Sequence, residues 1–186
     1  MEQRSGARVE QQSGATVAAK GARANEAAPP MEASLTGALP APGHEPLQSP
    51  WGVAIDRSRG LVVVADSHNH RVCVYTERGG FVRAFGARGG GEGELLYPRG
   101  VCVDEWSGSC AEIFVADCMN HRVVVATADG AFVRAFGRHG RGPGELMNPN
   151  GVCLDRGRGV VYVSDCMNHR VSVFRADDGA FVEAFG

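Results

Sequence analysis

A six-residue signature, Asp-x-x-Asn-His-Arg, occurs three times, at Asp66–Arg71, Asp117–Arg122 and Asp165–Arg170. Each copy gathers a carboxylate, an amide, an imidazole and a guanidinium in one short segment. Neutral imidazole is a good metal ligand, so His70, His121 and His169 raise the idea of a metal ring. No Cys-x-x-Cys pair accompanies them among the six cysteines, so a structural zinc site is not expected. The competing reading is structural. Asp66, Asp117 and Asp165 can accept turn N–H groups, Asn69, Asn120 and Asn168 suit left-handed backbone, and Arg71, Arg122 and Arg170 can pair with the nearby Asp. Recurrence in every copy favours this second reading, because a contact made for one partner would sit in one copy only.

Other chemistry is harder to find. The segments Gly89–Leu95 and Gly140–Leu146 are glycine-rich but lack a Gly-Lys-Ser/Thr ending, so they are not phosphate loops. No Gly-x-Ser-x-Gly elbow occurs. Asp56, Asp104 and Asp155 recur at equivalent positions and read as turn caps rather than a catalytic set. Cys102 and Cys153 stand where Ala54 stands, and Cys118 and Cys166 where Ser67 stands, which reads as packing rather than redox chemistry.

The elements that must carry these residues come from a threefold repeat. The first unit runs Pro50–Asp56, Leu61–Asp66, Asn69–Val74 and Phe81–Gly86. The second runs Pro98–Asp104, Ile113–Asp117, Asn120–Val125 and Phe132–Gly137, and the third Pro149–Asp155, Val160–Asp165, Asn168–Val173 and Phe181–Gly186. Arg71, Arg122 and Arg170 set periods of 51 and 48 residues, the difference being an insertion at Glu105–Ala111. Val, Ile, Phe and Tyr dominate the runs, and Gly, Asp, Asn and Ser separate them, as short strands and tight turns require. Runs such as Val62–Val64 are apolar on both faces, which predicts sheets covered on both sides. The Phe pairs Phe81/Phe85, Phe132/Phe136 and Phe181/Phe185 are predicted to pack on the next sheet, with Arg83, Arg134 and Glu183 between them. The 26 glycines among 186 residues, about twice the usual share, argue for turns and against long helices.

Each unit resembles the NHL repeat: Pro-x-Gly-Val-x-(Val/Ile/Leu)-Asp, an apolar strand ending in Asp, Asn-His-Arg-Val, then Phe-Val-x-x-Phe-Gly. The glycine-rich segments resemble that family's connectors between blades. The resemblance covers about residues 43–186. It implies an all-β chain of three four-stranded antiparallel β-propeller blades, at about 50–97, 98–148 and 149–186. The family's propellers usually have six blades, so this chain reads as a partial or half propeller: a fragment, one half of a homodimer completing six blades, or an open arc.

Residues 1–42, rich in Ala, Gly, Pro, Ser, Glu and Gln, are expected to be a disordered tail. Antiparallel order puts the connectors and the Asn-His-Arg turns at one end of every blade. That end is the candidate interaction face, presenting Asn69, His70, Asn120, His121, Asn168 and His169 beside Arg88, Arg99, Arg138, His139 and Arg141. The expected function is a non-catalytic scaffold that binds a protein partner. In the family such propellers often serve RING-type ubiquitin ligases as substrate-recognition parts, and others bind single-stranded RNA. The net charge of −2 weakens the RNA reading. The family's amidating lyases supply an enzyme alternative, disfavoured because the three units differ too little. No cofactor and no membrane contact is expected. Cysteines without a secretory signal point to a cytoplasmic protein, with the nucleus as the other location.

Overall fold

A computed structural model describes residues 45–105 and 111–186. The expected tail at 1–42 lies outside the described residues. Twelve strands form three four-stranded antiparallel sheets in strict sequence order. The first sheet holds β1 (Pro50–Asp56), β2 (Leu61–Asp66), β3 (Arg71–Thr76) and β4 (Phe81–Phe85). The second holds β5 (Pro98–Asp104), β6 (Glu112–Asp117), β7 (Arg122–Thr127) and β8 (Phe132–Phe136). The third holds β9 (Pro149–Asp155), β10 (Val160–Asp165), β11 (Arg170–Arg175) and β12 (Phe181–Phe185). Among the described residues no helix is long and apolar enough to cross a membrane.

The register repeats from sheet to sheet: Val53 faces Val64, Val101 faces Val115, and Val152 faces Val163. Strand β1 lies beside β5 and β5 beside β9, so the first strand of each blade lines a common axis. Packing there is close. A Cβ built on Gly100 would lie 2.6 Å from the Asn150 carbonyl oxygen, and one on Gly52 would crowd the Arg99 carbonyl oxygen more tightly still. Neither glycine has positive φ. They are needed for the approach of neighbouring backbones.

Two apolar clusters join the blades. Val63, Ala65, Val72 and Val74 of the first blade, with Leu95 of the connector that follows it, meet Val101, Ile113, Val115 and Val124 of the second. Phe114, Val123, Val125, Phe136 and Leu146 of the second blade meet Val161, Val163 and Phe174 of the third. Each fully buried side chain of this size contributes about 1.5–3 kcal/mol. The expectation that the valine runs are covered on both sides holds for the middle blade. It fails for the first, where Val62 and Val64 are only half-buried and Trp51, Val53 and Ile55 are exposed. The phenylalanines pack across the joints as expected: Phe85 covers Gly130 and Phe136 covers Gly179.

Two further expectations are corrected. The third strand of each unit starts at the arginine, not at the asparagine, because Ser67–Asn69, Cys118–Asn120 and Cys166–Asn168 each wind into one turn of 3₁₀ helix. The left-handed residue is the histidine, not the asparagine: φ is 55° at His70, 56° at His121 and 53° at His169. The N–H of each histidine closes that turn on the carbonyl of Ser67, Cys118 or Cys166, while the asparagine amide is taken up elsewhere. Holding a non-glycine residue left-handed costs roughly 1–2 kcal/mol, so the surrounding bonds must hold it there. The cysteines divide by position. Cys73 and Cys118 are buried and Cys102 half-buried, but Cys153 and Cys166 are exposed on the third blade, which no blade of the chain follows. Burial pushes the Cys102 thiol up to about 12, which fits packing rather than reactivity.

Candidate interaction face

The Asp-x-x-Asn-His-Arg turns are clamps on the connector that enters their blade. Asp117 is fully buried. Its Oδ1 accepts the Leu96 N–H at 2.7 Å, and its Oδ2 accepts from Asn120 Nδ2 and Arg122 Nε, each at 2.8 Å. Arg122 then donates to the carbonyls of Gly90, Gly91 and Glu94, all at 2.9 Å, and Asn120 donates to Gly89 at 2.8 Å. The third blade repeats this: Asp165 holds Met147 N–H, Asn168 and Arg170, and Arg170 reaches the Arg141, Gly142 and Glu145 carbonyls. In the first blade Asp66 holds Gln48 N–H, Asn69 and Arg71, with Pro46 and Glu45 supplying the carbonyls. The connector folds on itself through Glu94 and Glu145, which accept the Gly91 and Gly142 N–H groups.

The histidines join this scaffold one by one. His70 Nδ1 accepts the Tyr97 N–H and His121 Nδ1 accepts the Asn148 N–H, each at 3.1 Å, so each imidazole fastens the next connector. Among the described residues no three His, Cys, Asp or Glu side chains converge as a metal site would need. The spacing Cys118-x-x-His121, repeated at Cys166-x-x-His169, is a ligand spacing that the reading of the motif passed over. Among the described residues neither pair belongs to such a cluster.

The buried His70 and the half-buried His121 both titrate below the ordinary 6.5. Burial is the main cause, followed by Arg88 beside His70 and by His139 beside His121. A folded-state pKa below the unfolded one means that the unfolded chain takes up the proton first. Stability from these groups is therefore complete above the unfolded pKa and declines as pH falls through 6.5 toward the folded values. The thermal midpoint is expected to drop between about pH 7 and about pH 5.5, and the drop to shrink in the double variant His70→Asn/His121→Asn, since Asn tolerates left-handed backbone. Circular-dichroism melts across that range check it, and an unchanged slope in the variant assigns the effect to other groups.

The residues expected on the interaction face thus separate. Asn69, Asn120, Asn168, His70 and His121 are turned inward to the clamps and connectors. Arg88, Arg138, His139, Arg141 and His169 remain exposed. Arg138 keeps an ion pair with Glu145 at 3.1 Å. Arg99 lies at the axis, its guanidinium 4.7 Å from the Trp51 ring centroid. Trp51, Arg99, Asn150 and Ser164 line an open axial groove of about 370 Å³. The motif reading missed Met119 and Met167, which are 44% and 53% exposed in the same turns. The available signal was an apolar side chain in a polar turn where the first unit carries His68. Asp56 and Asp155 cap turns, accepting the Arg59 and Arg158 N–H groups, and Asp104 pairs with Arg156.

Three four-stranded sheets arranged around their first strands define a partial β-propeller. An NHL-repeat model matches residues 47–75, and a 6-bladed β-propeller model matches residues 106–185. The chain is thus similar to NHL-repeat proteins, with the repeat itself matched over its first unit. The RING finger protein nhl-1 of Caenorhabditis elegans is 43% identical over 109 residues, covering 59% of this chain and 10% of that protein. The protein brain tumor of Drosophila melanogaster is 35% identical over 114 residues, covering 60% of this chain and 10% of that protein. The chain therefore spans about a tenth of the length of these relatives. Among solved structures, a nidogen/laminin complex superposes with a TM-score of 0.57 at 22% identity, over 72% of this chain and 46% of that one. Kuenenia stuttgartiensis hydrazine synthase superposes with a TM-score of 0.56 at 14% identity, over 77% and 38%. At these identities the superpositions speak for the fold alone.

Proposed function

We propose that this chain is a non-catalytic scaffold that binds a protein partner through the face carrying the connectors and Asn-His-Arg turns. The observation that carries the reading is the exposure of Met119 and Met167 among Arg88, Arg138 and Arg141 on a loop face otherwise held rigid by the clamps. Methionine and arginine are enriched in protein interfaces, and a pre-organised surface loses little freedom on binding. The RING finger relative supports a place for the chain as the substrate-recognition part of a RING-type ubiquitin ligase system. The location proposed with it is the cytoplasm or nucleus. A second reading, single-stranded RNA, is favoured by the exposed arginines and by Arg99 over Trp51, an arrangement that suits phosphates and stacked bases.

The test compares partner capture by the wild-type chain and by Met119→Asp/Met167→Asp. A protein lost from the variant, with affinity reduced by about 30-fold or more as for an interface hot spot, supports the proposal. Partners retained in full overturn the choice of face. Binding to single-stranded RNA at low salt, lost on raising salt, would move the assignment to RNA.

A further inference from the structure

The residue after the first proline of each blade breaks the repeat. Units that otherwise agree closely carry Trp51, Arg99 and Asn150 there. Recurrent residues hold the blades, and a contact made for one partner belongs where the copies diverge. We infer that these three side chains receive an acidic side chain of a protein partner, its carboxylate seated on Arg99 at the axis. This deepens the interaction-face reading above and rests on it for the kind of partner.

Arg99 is the residue on which this turns. Arg71, Arg83, Arg122, Arg134 and Arg170, the other half-buried arginines, each hold a carboxylate. Arg99 is half-buried too, yet among the described residues its side chain has no ion pair and no hydrogen bond. Its contact is the face of Trp51, with the guanidinium carbon 4.7 Å from the ring centroid. Stacking on an aromatic face offsets only part of what a partly desolvated cation loses. It also leaves the N–H donors, which lie in the guanidinium plane, unspent. The groove that Arg99 lines contains no carboxylate among the described residues. Asn150 adds an amide to the same groove, and the described residues give its side chain no hydrogen bond.

The position of Arg99 does not depend on where the arc begins or ends. It stands on the middle blade, between two described neighbours: its carbonyl closes on Gly52, and Gly100 takes the Asn150 carbonyl. Propellers keep a channel along the axis that such inner strands line. The chemistry favours a carboxylate. One guanidinium offers two parallel N–H groups, which match one carboxylate. A nucleic acid needs cations spaced along its phosphates, and this groove holds one among the described residues. Trp51 gives the methylenes of a glutamate a flat apolar surface, and the Asn150 amide can bond the peptide beside it. The groove adjoins the loop face, because Leu96, three residues before Arg99, accepts the Met119 N–H on its carbonyl. A partner seated on Met119 reaches the groove without leaving that face.

The probe is a capped Gly-Gly-Glu-Gly-Gly peptide, with its Gln counterpart as control, titrated into the isotope-labelled full chain. Nuclear magnetic resonance reads the Trp51 indole N–H and the Arg99 Nε–H. Both signals are expected to shift saturably with the Glu peptide in the millimolar range, and the Gln peptide to bind about tenfold more weakly. Arg99→Gln is expected to weaken the Glu peptide about tenfold as well, with signals away from the groove unchanged. Equal binding of the two peptides, no shift at Trp51 and Arg99, or Arg99→Gln binding as wild type would overturn the proposal. So would a single-stranded oligouridylate that shifts the same signals at low salt and binds more tightly than the Glu peptide, since that would seat a phosphate there. The titration uses no captured protein, so it can fail while partner capture through Met119 and Met167 stands, and the reverse.

Discussion

Asp117→Ala is expected to destabilise the protein by about 3–5 kcal/mol, enough to abolish most of the stability of a domain of this size. The carboxylate is fully buried and receives three donors, the Leu96 N–H, Asn120 and Arg122. Burial outweighs those donors and holds its pKa above the ordinary carboxylate value. The ion pair is thus expensive to form, and the expense becomes visible on deletion. Arg122, with a side chain only 16% exposed, keeps its charge but loses its counter-ion, and Leu96 N–H and Asn120 lose their acceptor. The damage reaches the joint, because Arg122 and Asn120 are what hold the Gly89–Glu94 connector. Chemical denaturation gives the magnitude, and hydrogen exchange at the Leu96 amide should accelerate before that in β6. The double variant Asp117→Leu/Arg122→Met is expected to recover part of the loss, since an apolar pair leaves no charge stranded. A loss under about 1 kcal/mol for Asp117→Ala would show that the clamp contributes little.

The same clamp shows what sequence reasoning could reach. Four apolar runs per unit, separated by turn residues, specify strands whatever surrounds them, so blade count, order and antiparallel pairing were legible. The Asp-to-Arg pairing was legible as well, because the two residues sit in one turn. The connector's part was not. Arg122 reaches carbonyls about thirty residues back along the chain, and local patterning carries no trace of which carbonyls those are. The histidine's left-handed backbone was assigned to asparagine for a related reason. Intrinsic preference favours Asn there, but Asn120 is needed with its side chain turned to Asp117 and Gly89, and the next residue takes the strain. Exposure differed again. Repeated positions read alike in sequence, yet Val53 is exposed and Val101 buried, because burial belongs to the joint and not to the blade.

Gly100→Val is expected to cost about 3 kcal/mol, at the upper end of core overpacking, with Gly100→Ala somewhat less. The new Cβ would fall 2.6 Å from the Asn150 carbonyl oxygen, 2.9 Å from the Gly151 Cα and 2.9 Å from the Val152 nitrogen. All three are backbone atoms of the neighbouring inner strand, so no rotamer change can make room. β9 would have to move outward, and with it the contacts of Val152 and Leu154 against the Phe114 cluster. φ at Gly100 is not positive, so the substitution carries no conformational penalty of its own. Any loss then measures the strand-to-strand approach alone. Gly151→Ala supplies the internal comparison. Its only close neighbour is the Ser164 hydroxyl at 3.1 Å. Within one chain it should cost a few tenths of a kcal/mol at most, as an unstrained surface change does. A Gly151→Ala loss as large as that of Gly100→Ala would show that the close approach of the inner strands is not what makes Gly100 costly to replace. Gly100→Val with wild-type stability would mean the inner strands can separate at little cost.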